Sequence, residues 1–318
     1  MHSFKPQDKP LREVFSYMLH AISPRPIALV GTVNKNGKHN IAPFSFFNGF
    51  GSNPPTVGFS AATSARTKKR KDTYENIMQT KECTIQVVTY SIAGQTNLTS
   101  IENTETDEFI ISGLTPIESD LIKAPRVKES PIQMECKLID MVHLGEGGGA
   151  GNLALCEIIK FHIDETILEN GKVNPYKLDV VGRNGGPYYT RANGDALFEI
   201  NRPVSTQIIG YQGLPKLLLK SKILSGNDLS ELANCDQLPS KHQAHSFIEN
   251  HPQEIDASTN FIETWDLLLS EKSHHKLLSM LLNQISNPLE QPRHLEEIIK
   301  IAISNKDLNF ARLLTALY

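Results

Sequence analysis

A chain of 318 residues with 39% hydrophobic and 21% charged content has the length and composition of a globular domain with an appendage. No apolar run is long enough to span a membrane, and a formal net charge of -3 excludes an overall basic field for nucleic acid. The four cysteines, Cys83, Cys136, Cys156 and Cys235, are scattered without CxxC spacing, as in a reduced protein without a cysteine-based metal site.

In chain order, Leu11, Val14, Phe15, Met18, Leu19 and Ile22 recur at helical spacing before Pro24 and Pro26, which predicts a short helix. The preceding residues lack the apolar core of a secretory signal and the arginines of a transit peptide, so the expected location is the cytoplasm. The NLT sequon at Asn97 is then a chance match. IALVGTV at 27–33 predicts a buried strand, Asn34-Lys35-Asn36-Gly37 a turn, and His39 to Ala42 a second strand. An aromatic turn region follows, in which Phe44, Phe46, Phe47 and Phe50 are interleaved with Ser45, Asn48, Gly49 and Gly51. TVGFSAA at 56–62 predicts a strand, and the basic loop TKKRKDT at 67–73 leads into a helix from about Tyr74 to Thr80 that Asp72 or Thr73 could cap.

CTIQVVT at 83–89 reads as a central strand, followed by a helical stretch from about Ile92 and a polar segment, NTETDEF, at 103–109. IQMECKLIDMVHLG at 132–145 and NLALCEIIKFHIDETIL at 152–168 predict a long hairpin with GEGGGAG at 145–151 as its flexible tip. That glycine run lacks the GK[ST] ending of a phosphate loop. Strands without regular strand-helix alternation predict a mainly β domain with short helices over residues 1–204, closed as an antiparallel barrel. After about residue 204 the leucine-rich segments, 261–285 and 294–303 above all, predict an α-helical C-terminal extension over 205–318, ending in an αα-hairpin at Asn305 to Asp307.

Two clusters carry chemistry. The Phe-rich turn suits a flat ring lying against backbone amides, with Ser45 and Asn48 as polar contacts; the competing reading is that the phenylalanines fill the mouth of a barrel. Downstream, Arg70, Lys71 and Thr73 place cations, a hydroxyl and the positive end of a helix at one point, which suits a phosphate; the competing reading is a solvated loop, the role left to Arg66, Lys68 and Lys69. Asp72 either caps the helix or holds a neighbouring cation. His143, just before the glycine run, is a candidate proton donor, or else structural. His242, His245 and the pair His274-His275 have no Cys or carboxylate companions that complete a metal set, so no metal site is expected. No GxSxG, HExxH or Walker pattern supports a hydrolase or NTPase.

SPRPIALVGTV at 23–33, NGKHNIAPFSFFN at 36–48, SNPPTVGFS at 52–60, RKDTYENI at 70–77 and VGRNGGPYY at 181–189 together resemble the flavin reductase-like, FMN-binding split-barrel family, which includes flavoredoxin-like members. The resemblance spans about residues 10–203. It implies a Greek-key split barrel, a homodimer, and FMN as cofactor. On this chain it implies that Phe44, Ser45, Phe46, Phe47 and Asn48 line the isoalloxazine and that Ser60 and Ala61 lie beside the ring or ribityl chain. Arg70, Lys71 and Thr73 would then meet the phosphate, with Asp72 as neighbour. Arg183 and Tyr188 belong to a late motif whose contact the resemblance does not assign. The implied activity is NAD(P)H-dependent flavin reduction by hydride transfer to N5. The alternatives are an FMN-holding carrier exchanging electrons with a protein partner, and an interaction protein that has lost its flavin.

Overall fold

The structure is a computed structural model that describes residues 1–101, 107–203, 205–256, 259–285 and 287–318. Residues 103–106 of the polar segment read at 103–109, and residue 204 at the expected domain boundary, lie outside the described residues. The chain forms two compact units, Met1–Phe198 and Glu199–Tyr318.

In the first unit, α1 (Leu11–Ala21) precedes β1 (Ala28–Val33), β2 (His39–Phe44), β3 (Phe47–Ser52), β4 (Pro55–Ser60), α2 (Asp72–Thr80) and β5 (Glu82–Val87). Short elements follow: α3 (Ala93–Leu98), α4 (Glu108–Ser112), β6 (Pro116–Ile117) and β7 (Arg126–Val127). The long hairpin β8 (Ile132–Leu144) and β9 (Gly151–Ile163) comes next, then β10 (Leu168–Glu169), β11 (Lys172–Val173), α5 (Pro175–Leu178), β12 (Val181–Arg183) and β13 (Tyr189–Arg191). Seven strands form one antiparallel sheet in the order β2-β1-β5-β8-β9-β4-β3.

That order curls the sheet. At about 4.8 Å per strand the edges of a flat seven-stranded sheet lie roughly 29 Å apart. Yet the edge strands β2 and β3 are consecutive, joined only by Ser45 and Phe46. Such a link reaches about 11 Å at most, so the sheet must wrap until its edges approach. Among the described residues no ladder joins β2 to β3. β1 is apolar on both faces because both are covered: Ala28 and Val30 pack inside the wrapped sheet with Phe44, Phe59, Ile77 and Ile85, while Ile27 and Leu29 pack outside with Ile92, Phe109 and Val181.

The aromatic turn expected at 44–50 is mostly strand. Only Ser45 and Phe46 turn; Phe47, Asn48 and Gly49 pair with Phe59, Gly58 and Val57 of β4, and the register shifts between Gly49 and Gly51. The Phe50 ring lies over Gly58, where a Cβ would meet it at 2.7 Å. The glycine tip of the β8–β9 hairpin is docked rather than free: Gly149 N donates to Thr63 O and Thr63 N donates to Ala150 O, both at 2.9 Å. Packing of Gly148 against the Ala65 backbone leaves 3.0 Å for a Cβ. The strands also gather the scattered cysteines Cys83, Cys136 and Cys156 into one core, with Cys83 and Cys156 Sγ 4.0 Å apart.

The second unit holds α6 (Gly226–Ala233), α7 (Lys241–Glu249), α8 (Phe261–Ser270), α9 (His274–Gln284), α10 (Pro292–Ser304) and α11 (Leu308–Thr315) around buried Leu218, Leu232, Leu277, Leu281, Leu295 and Ile298. The helical run expected at 261–285 breaks at Lys272, which turns left-handed (φ 54°) while Ser273 N donates back to Leu268 O. A second correction concerns His274 and His275, which do gain a carboxylate companion: Asp307, contributed by the loop before α11, lies 3.3 and 3.8 Å from their Nε2 atoms. Asn305 Nδ2 donates to His274 Nδ1, which leaves the His274 proton on Nε2 for Asp307. Among the described residues no helix is long and apolar enough to cross a membrane.

Candidate functional site

The start of α2 is held by a buried polar network. Asn40 Nδ2 donates to Thr32 Oγ1 (3.1 Å) and Thr73 Oγ1 (3.0 Å), and Asn76 Nδ2 donates to Thr32 Oγ1 (3.0 Å). Thr73 is 1% exposed, so its oxygen serves this network and does not cap the helix. Asp72 does not cap it either: the N-cap residue is Lys71, without a side-chain cap bond. Asp72 and Thr73 are therefore the first two helical residues, with the unpaired N–H groups of a helix start.

A cavity of about 470 Å³ lies at that start, walled by β2, by the loop from Ser64 to Lys71, and by Asp72, Thr73, Ser100 and Glu108. Four cations line it, Arg66, Lys69, Arg70 and Lys71, against the carboxylates of Asp72 and Glu108. The balance favours an anion. Arg66 and Lys69 are exposed side chains that line the cavity's rim, while Lys68, in a left-handed turn (φ 57°), does not line it. Arg70 lies over the buried Tyr74 ring at 4.5 Å, which sets its direction.

A larger, apolar cavity of about 1190 Å³ adjoins it. Phe46, Phe47, Asn48 and Ser60 line one side, Phe15 and Met18 of α1 another, and Gly149, Gly151 and Leu153 of the hairpin a third. Ser64, Arg66 and Lys71 line both cavities, so the apolar and cationic spaces are neighbours.

Of the remaining expected residues, Phe44 closes the β2 wall of the cationic cavity, while Ser45, Ala61 and His143 line neither cavity. Phe44 turns its ring into the barrel core, 5.2 Å from Phe59. Ser45 lines a third, smaller cavity and accepts from Arg25 Nε at 3.3 Å. Ala61 is buried, its backbone exchanging hydrogen bonds with Asn152. His143 lines neither of the two large cavities; its Nδ1 is 3.0 Å from Asn152 Oδ1 and its ring 5.9 Å from Tyr74. Asn152 Nδ2 in turn donates to Ala61 O and Thr63 Oγ1, so His143 acts on the loop that walls both cavities.

Two contributors were not legible as site residues. Arg25 is 4% exposed and donates to Leu19 O, Ile22 O, Asn184 O and Ser45 Oγ, with its guanidinium 5.9 Å from the Phe46 ring. Burial, and then the charge of Arg183, hold it below its ordinary pKa. Its signal was a lone cation between two prolines ahead of a wholly apolar strand. The other is α1, whose helical spacing predicts the element but not its place: Leu11, Val14, Phe15 and Met18 line the apolar cavity, and no residue of the helix is buried.

Glu108 is 6% exposed, and burial raises its pKa, partly offset by backbone N–H donors and by Lys38. A raised carboxyl stabilises the fold in its protonated form and loses that contribution as pH rises through the folded pKa. Glu108→Gln is therefore expected to raise the melting temperature by up to a few degrees at pH 8, with the gap to wild type closing as pH falls toward 4. A constant gap across that range in a melting series would mean that the Glu108 charge is not the cause.

A family model for the flavin reductase like domain matches residues 19–178. Similar proteins include an uncharacterised protein of Aquifex aeolicus, 35% identical over 189 residues that cover 59% of this chain and 94% of the relative. Among solved structures, nitrilotriacetate monooxygenase component B of Bacillus cereus is 32% identical with a TM-score of 0.59, covering 63% of this chain and 98% of that one. A Shewanella frigidimarina protein with a split barrel domain is 28% identical with a TM-score of 0.54, covering 64% and 99%.

Proposed function

Because the chain belongs to the flavin reductase-like domain family, we propose that it is an FMN-binding oxidoreductase, a NAD(P)H-dependent flavin reductase built on a Greek-key split barrel. What carries this reading is the adjacency of the two cavities: an apolar slot lined by Phe46 and Phe47 shares Ser64, Arg66 and Lys71 with a cationic pocket at a helix start. A flat ring with a phosphate tail needs those two environments in that order. Bound there, FMN supplies a ring that accepts hydride from NAD(P)H at N5.

The residues of this chain orient and balance charge. Phe46 and Phe47 give the ring an apolar bed, Asn48 and Ser60 give it polar neighbours, and buried Ala61, its backbone bonded to Asn152, supports Ser60 from behind. Since β3 is a sheet edge, its outward N–H groups have no strand partner among the described residues, and Gly49 N donates instead to Asn48 Oδ1 at 2.8 Å, which orients that amide. Arg70, Lys71 and the first N–H groups of α2 hold the phosphate, with Asp72 beside them. Thr73, through Asn40, fixes where that helix begins. Ser45 and Phe44 act from behind the bed, through Arg25 and the barrel core. His143 is a positioning residue through Asn152 and donates no proton in this reading. No acid or base is required when the donor lies directly on the ring.

A homodimer is part of the proposal. Supporting it are the exposed apolar side chains of α1, Leu11, Phe15, Met18 and Ile22, more than a monomer's helix usually leaves uncovered. The location proposed is the cytoplasm.

Purified protein supplied with FMN should turn yellow and retain the chromophore on gel filtration, and NADH or NADPH should bleach it rapidly in stopped flow. Bleaching only by a reduced protein donor would make the protein an electron carrier instead, and absence of any chromophore would sink both readings.

A further inference from the structure

Beside the cationic pocket lies a cavity of about 180 Å³ that the flavin reading leaves unused. Ser45, Thr96, Asn97, Ser100, Arg183 and Tyr189 supply its polar lining, and among the described residues no carboxylate lines it. Thr96 is 4% exposed, and its Oγ1 is buried without a hydrogen-bond partner among the described residues. An orphaned hydroxyl of this kind costs about 1–3 kcal/mol unless something pairs with it. Arg183 donates to Gly186 O at 2.7 Å and lies over the Tyr189 ring at 4.4 Å. It is close enough to buried Arg25 for the two charges to oppose each other. Among the described residues neither guanidinium meets a carboxylate. Uncompensated positive charge, an orphaned hydroxyl and nearby Asn and Ser donors all ask for an oxyanion.

The cavity is smaller than sites that hold whole drug-sized ligands, so it holds one group of a larger molecule. Pro43 and Ser100 line both it and the cationic pocket, so a molecule lying near the flavin can reach it. We infer that this cavity is a second anion subsite, which takes a phosphate group of the nicotinamide nucleotide donor. The inference rests on the reductase reading, and it gives the late motif around Arg183 a role. A second phosphate belonging to FAD would meet the same donors, and the test separates the two sources.

The test uses the full chain with FMN added and two single variants, Arg183→Gln and Thr96→Val. The second exchanges an unpartnered hydroxyl for a methyl of the same shape, so its melting temperature should not fall. Steady-state kinetics should show KM for NADH or NADPH raised roughly tenfold in Arg183→Gln, more than kcat falls, and severalfold in Thr96→Val, with FMN affinity unchanged. Calorimetry with inorganic phosphate should detect binding to wild type that both variants weaken. If wild type oxidises neither NADH nor NADPH, the reductase reading falls and the donor assignment with it. Should wild type turn over while both variants keep its KM and phosphate affinity, only the subsite is overturned. Loss of FMN or FAD affinity in the variants, with KM for the nicotinamide unchanged, would transfer the cavity to the flavin.

Discussion

Replacing Arg70 and Lys71 together by alanine is expected to weaken FMN binding by roughly a hundredfold or more, read by fluorescence quenching, with little change in the melting temperature of the flavin-free protein. Charge-assisted contacts are worth about 1.5–3 kcal/mol each, and about 1.4 kcal/mol is a factor of ten in affinity. The lower end of two such losses sets the expected effect, because Arg66, Lys69 and the first N–H groups of α2 stay in the pocket. The folded apoprotein should tolerate the change, since Arg70 is exposed with its stack on Tyr74 and Lys71 is only half-buried. Added salt should weaken binding to wild type more than to the double variant, because it screens the charges the variant lacks. Lys68→Ala, outside the cavity, should bind FMN as wild type does. A loss below about threefold in the double variant would move the phosphate out of this pocket, and the cavity of Arg183 and Thr96 would be the next to test.

Local pattern carried much of this site into view, and the wrapped sheet decided the rest. Arg70, Lys71, Asp72 and Thr73 are contiguous and sit at a helix start, a signal a single window can hold. Phe46, Phe47 and Asn48 were visible as aromatics beside small residues, but not which of the four rings faces inward. Phe44 turns into the core because strand periodicity in β2 places it on the face of Ala42, opposite Pro43, where Phe59 and Ala28 lie. The strand β3 was hidden because its residues, Asn48, Gly49, Gly51 and Ser52 among them, favour turns; pairing with β4 overrides that preference. Arg25, Asn40 and Asn152 act through partners distant in sequence, such as Asn184 for Arg25 and Ala61 for Asn152. No periodicity announces such pairs. The apolar stripe of α1 was legible, but its destination was not, since a cavity wall and a core demand the same side chains.

The largest effect on folding is expected for Arg25→Ala: a fall of the melting temperature by about 10 °C or more, together with loss of flavin binding. Leu19 and Ile22 lie at the end of α1, where carbonyls have no helical partner, and Arg25 Nη1 donates to both at 2.5 and 2.6 Å. Nη2 reaches Asn184 O at 3.2 Å and Nε reaches Ser45 Oγ at 3.3 Å. One buried guanidinium thus joins the end of α1, the two-residue link between the sheet edges, and the segment leading into β13. Truncation leaves these acceptors without their donor and opens a cavity, on the order of 3–5 kcal/mol in total. Arg25→Lys should recover only part of the loss, because an ammonium cannot span a fork of four acceptors. The flavin consequence follows from the link: Ser45 is held directly, the Phe46 ring lies under the guanidinium, and Phe15 of α1 stands 6.3 Å from Phe46 across the apolar cavity. Thermal unfolding with and without FMN distinguishes the two effects. In wild type FMN should raise the melting temperature, and in Arg25→Ala that rise should vanish. A variant that melts early yet keeps the full FMN-induced shift would show that Arg25 stabilises the fold without shaping the bed of the ring.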